Sequence, residues 1–83
     1  MIPLTAKEVE AALKRNGFTL ARSAGSHFHW VNRESRKLIT VPHHGNAKLQ
    51  QGTLKSIVRQ SGLSEREFYH MTLWREFSNK EVA

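Results

Sequence analysis

The feature that most constrains this chain is a change of hydrophobic period, from helical to alternating and back to helical. Val9, Ala12 and Leu13 recur at the spacing of one helix face. His27-Phe28-His29-Trp30-Val31-Asn32 instead alternates with the period of two that a half-buried strand requires. Leu54, Ile57 and Val58 return to helical spacing. A chain in this order has to lay helices against a sheet. With 83 residues there is room for one thin core, because a domain of this size buries only about 60% of the surface its unfolded chain exposes.

Local signals set the expected boundaries. Thr5-Ala6-Lys7-Glu8 has the form of a capping box and Asn16-Gly17 that of a helix stop, which predicts a helix from Thr5 to Asn16. On it Lys7, Glu10, Lys14 and Arg15 are expected to face water. Phe18 to Arg22 reads as a first strand, His27 to Asn32 as a second, and Lys37 to Val41, ended by Pro42, as a third. His43 to Gln51 reads as a polar loop, Thr53 as the cap of the next helix and Ser61-Gly62 as its end. Ser64-Glu65-Arg66-Glu67 is a second capping box, opening a short helix with Phe68 and Met71 inward.

The expected fold class is therefore α+β, in the order α-β-β-β-α, with a three-stranded antiparallel sheet covered by helices on one face. Phe18, Leu20, Phe28, Trp30, Ile39 and Val41 are expected to meet the helices. Alternation then puts His27 and His29 on the open face. Residues 1–71 are expected to form one domain, and 72–83, with Leu73, Trp74 and Phe77, an extension.

Charge narrows the class of partner. Thirteen Lys and Arg residues stand against seven acidic ones, all of them Glu, for a formal net charge of +6. Such an excess on a small surface favours a polyanion, since neutralising phosphates releases condensed counterions. It suits an acidic protein partner equally well. The chain has no Cys, which rules out disulfides and thiolate metal sites and fits a reducing cytosol. Met1-Ile2-Pro3-Leu4 lacks the basic start and apolar run of a signal peptide, and no apolar stretch reaches the roughly 20 residues of a membrane span. A cytoplasmic protein is expected, with no membrane association.

Three short segments carry a family resemblance. Gly25-Ser26-His27-Phe28-His29-Trp30, then Val41-Pro42-His43-His44, then Gly52-Thr53-Leu54-Lys55-Ser56-Ile57 resemble, in this order, the HicA toxins of bacterial toxin–antitoxin pairs. The similarity runs from about Thr5 to Phe68. It implies a double-stranded-RNA-binding-domain-like fold, cleavage of mRNA without a metal or other cofactor, dependence on the histidine of the Gly-Ser-His motif, here His27, and a HicB antitoxin that covers the site.

The chemistry suits that residue type. RNA can be cut by its own 2′-hydroxyl, provided that something accepts its proton and something protonates the departing 5′-oxygen. An imidazole, which titrates near pH 6.5 in water, can do either at neutral pH. Gly25 would admit close backbone approach and Ser26 would hold a phosphate oxygen or orient the ring. His29 shares the face of His27 and is a candidate for the second proton transfer or a plain polar residue on a wet sheet. His44 falls where the family has a histidine after Val-Pro, as a strand-end cap or a substrate contact. Lys48 and Lys55, from the loop and second helix, are the candidate phosphate contacts that such a fold implies. His43 and His70 are expected at the surface.

Three other readings compete with this one. A non-catalytic RNA-binding module needs basic residues but no particular histidine. A zinc hydrolase could use His27 and His29 with His43 or His44, against which stands the lack of a carboxylate nearby in sequence to orient a ligand. An interaction protein could use the basic face solely to dock an acidic partner.

Overall fold

Thr5 opens the first helix by adopting extended backbone angles and accepting a hydrogen bond from the Glu8 amide, while the Glu8 carboxylate accepts one from the Thr5 amide at 2.8 Å. This reciprocal box satisfies amides that a helix start leaves without intrahelical partners. Helix α1 spans Ala6–Arg15 and Asn16 caps its end. The structure, a computed structural model, describes residues 1–69. Strands β1 (Thr19–Ala24), β2 (His27–Asn32) and β3 (Lys37–Pro42) form an antiparallel sheet in sequence order, followed by helix α2 (Gln51–Ser61) and a helical stretch at 65–69. This is the α+β order that the periodicities predict.

Cross-strand register sorts the side chains by face. Phe28 pairs with Val41 and Trp30 with Ile39 on the covered side, whereas His27 pairs with Pro42, His29 with Thr40 and Val31 with Leu38 on the other. Both helices pack on β3. Val9, Ala12 and Leu13 of α1, Leu54 and Ile57 of α2, and Ile39, Val41, Phe18 and Phe68 make the core. The second capping box forms as expected, with Ser64 and Glu67 exchanging hydrogen bonds. Phe68 is buried, and the Tyr69 hydroxyl donates to the Ile2 carbonyl at 2.5 Å, tying this stretch to the N-terminal segment.

Several local expectations need correction. Phe18 precedes β1, donating its amide to the Leu13 carbonyl, although its ring is in the core as predicted. Leu20 is 46% exposed, not buried, because both helices pack over β3, at the opposite edge of the sheet from β1. The β1–β2 register also shifts between Leu20 and Arg22, a bulge that the alternation rule does not anticipate. Thr53 lies inside α2 and is not its cap: Gln50 holds that position and makes no side-chain capping bond. The segment before α2 is more than a polar loop, since Leu49 is buried with its amide on the Leu4 carbonyl and Lys48 forms a bridge with Thr5. The expectations for His70, Met71 and the extension 72–83 lie outside the described residues, and with them the domain boundary at 71.

Candidate active site

The β1–β2 hairpin builds the first part of the site. Gly25 has φ +59 and Ser26 does not share its positive φ, the pattern of a two-residue turn with glycine at its first central position. A Cβ on Gly25 would meet nothing within 4 Å, so the turn's outer side is open even though that backbone conformation disfavours side chains. His27 is the first residue of β2, exposed, between Ala24 of β1 and Pro42 of β3. Its placement opposite the Phe28 and Trp30 face lets it reach a ligand without disturbing the core.

His29 lies two residues further on the same face. Its Nδ1 is 2.9 Å from Thr40 Oγ1, which fixes the ring and leaves Nε2 as its other nitrogen. The sheet thus brings Gly25, Ser26, His27 and His29 together at one end.

Pro42, the β3 neighbour of His27, also borders a cleft of about 390 Å³ lined by His44, Ala47, Lys48, Leu49, Gln50 and Thr53. His44 and Lys48 therefore line one cleft together with Pro42, the residue paired with His27. The N-terminus of α2 forms one wall, with no capping side chain and no acidic residue in its first turn. Uncapped amides at the positive end of a helix favour an anion. The Lys48 ammonium lies 3.3 Å from Glu8 Oε1, an exposed pair. The Thr5 amide first, with a smaller share from Lys48, holds the Glu8 carboxyl below its ordinary value. Lys55 is exposed on α2 and is not among the residues that line this cleft.

Two residues beside the site escaped the sequence reading. Glu10 does not face water: its side chain is 12% exposed, and its Oε1 lies 2.5 Å from His43 Nε2. Its Oε2 accepts a hydrogen bond from the Trp30 indole at 2.7 Å. His43 is not a surface residue either, being 19% exposed, with its ring centroid 4.4 Å from that of Phe28. A signal was present, because Glu10 is four residues after Ala6 and three before Leu13 and so borders the apolar stripe, and a buried tryptophan N–H demands an acceptor. Among the described residues, no three histidine or carboxylate side chains converge as a metal-binding group.

A family model described as the HicA toxin of bacterial toxin–antitoxin systems matches residues 6–63, the span that contains every element from α1 to α2. No curated protein matches the chain. No helix among the described residues is long and apolar enough to cross a membrane.

Proposed function

This chain belongs to the HicA family, the toxin component of bacterial toxin–antitoxin systems, and from that premise we propose that it is a metal-independent endoribonuclease acting on mRNA in the cytoplasm. The observation that carries the reading is the position of His27: exposed at the mouth of an open turn, on the uncovered face of the sheet, beside a cleft lined by His44, Lys48 and a helix N-terminus.

The reaction needs only groups of this kind. The ribose 2′-oxygen attacks the adjacent phosphorus while an imidazole takes its proton. The bond to the 5′-oxygen breaks as that oxygen receives a proton, leaving a 2′,3′-cyclic phosphate and a 5′-hydroxyl end. His27 performs one of these transfers, and His29, whose ring is hydrogen-bonded to Thr40, performs the other. Each contributes on the order of 10²–10⁴-fold in such reactions. Gly25 gives the backbone of the substrate access, Ser26 contacts a phosphate oxygen, and His44, Lys48 and Lys55 contact neighbouring phosphates. Electrostatic stabilisation of the charge that builds on phosphorus is commonly the largest contribution.

The toxin–antitoxin membership implies a protein antitoxin. We take it to be of the HicB type, covering the His27 end of the sheet; the chain's net charge of +6 favours an acidic partner. Purified protein and its His27→Ala variant, incubated with mixed-sequence RNA in excess chelator, test the reading. Cleavage to cyclic-phosphate ends by the wild type alone supports it. RNA binding by both proteins with cleavage by neither would make the chain a double-stranded-RNA-binding module instead.

A further inference from the structure

The strongest unassigned feature is the cluster of Glu10, Trp30 and His43 on the covered side of the sheet. A largely buried carboxylate is kept only where partners hold it, and Glu10 has two. Trp30 Nε1 donates to Oε2 at 2.7 Å and His43 Nε2 lies 2.5 Å from Oε1. His43 leads onward to the site by two routes. Its amide donates to the Ser26 carbonyl at 2.6 Å, which continues the β2–β3 pairing by one rung past Pro42. Its ring packs on Phe28. Ser26 and Phe28 are the two chain neighbours of His27.

We infer that Glu10 is a positioning residue, which through His43 anchors the Ser26–Phe28 segment and so sets where His27 stands. The deduction rests on His27 being the working residue of the proposed ribonuclease. Without the Glu10 carboxylate, the end of the sheet that carries His27 loses its tie to α1, and its last rung, from the His43 amide to the Ser26 carbonyl, opens more readily. Displacements of about 1 Å in a reacting group can lower rates by roughly 10²-fold. The loss should fall on turnover and not on RNA affinity, because Glu10 and His43 lie on the face away from the substrate.

The test compares the wild type with Glu10→Ala, Glu10→Gln and Val9→Ala. Val9 is a fully buried residue of the same helix outside the cluster, so it controls for general destabilisation. Amide hydrogen exchange of His43 and of residues 25–28 is read alongside kcat and RNA affinity. In Glu10→Ala the His43 amide should exchange at least about tenfold faster by local opening, and kcat should fall about 10- to 100-fold with affinity within about twofold. Glu10→Gln, which keeps the side-chain length and one acceptor, should recover part of both. Should Glu10→Ala not fold, Glu10→Gln carries the comparison. Equal behaviour of the Glu10 variants and Val9→Ala overturns the inference, as does an unchanged His43 amide. If the wild type does not cleave RNA, the ribonuclease reading fails and the exchange data alone decide whether Glu10 anchors the turn.

Discussion

The Trp30 indole donates to Glu10 at 2.7 Å, a polar bond that joins the middle strand to the first helix. Trp30→Phe keeps most of the ring but leaves one carboxylate oxygen without its donor. A buried acceptor deprived of its partner costs about 1–3 kcal/mol. Urea unfolding should show a lower midpoint with an unchanged m-value. The double variant with Glu10→Ala should lose less than the two single losses added, since both cut the same bond. Strict additivity would mean that the bond contributes nothing.

Glu8 supplies a test in the acid range. The Thr5 amide holds its carboxyl below the ordinary value, with Lys48 adding to the effect, so folding favours the ionised form. The associated stability is complete above the ordinary carboxylate value of about 4.3, and it is lost as the pH falls through the lower folded-state value. Glu8→Gln keeps an acceptor for the capping box but no charge. Its deficit relative to the wild type, below about 1 kcal/mol for so exposed a group, should be greatest near neutrality and shrink as the solution is acidified. A deficit independent of pH would assign the effect to shape alone.

Tyr69 works in the opposite direction. Burial, and then the charge of Glu65, raise its phenol above the ordinary value. Its stabilising effect is therefore complete below about pH 10, and it declines as the pH rises toward the folded-state value. The chain has one tyrosine, so phenolate absorbance reads this group alone. The midpoint should lie higher in the native protein than in denaturant. Tyr69→Phe should abolish the alkaline loss and cost about 1 kcal/mol through the bond to the Ile2 carbonyl.

Local rules made the element order legible in the sequence, because capping boxes and hydrophobic periods act over a few residues. Thr5 with Glu8 and Ser64 with Glu67 form the bonds their spacing predicts. Alternation likewise put His27 on the open face. What stayed hidden depends on which elements meet. Leu20 looks like a core residue until the helices are found over β3, and Glu10 looks like a surface residue until Trp30 and His43 arrive from the sheet. The start of α2 is hidden for a related reason: no side chain caps it, and the nearest capping residue type in the sequence, Thr53, lies inside the helix. That missing cap is itself consistent with a helix end that serves an anion.

The Lys48–Glu8 pair makes the last prediction, since it sets a helix cap against a candidate phosphate contact. Lys48 Nζ lies 3.3 Å from Glu8 Oε1 and also borders the cleft next to Pro42. A phosphate there would compete with Glu8 for the ammonium. Exposed pairs of this kind are worth about 0.2–1 kcal/mol, so releasing Lys48 by Glu8→Gln should tighten RNA binding by about 1.4- to 5-fold. Lys48→Ala should weaken it and lower the salt dependence by about one phosphate contact. In the double variant the gain from Glu8→Gln should vanish, because the competition has no object without the lysine. Binding isotherms over a range of salt concentrations read all of these. If Glu8→Gln tightens binding equally with and without Lys48, the effect is one of net charge, and Lys48 is not a specific phosphate ligand.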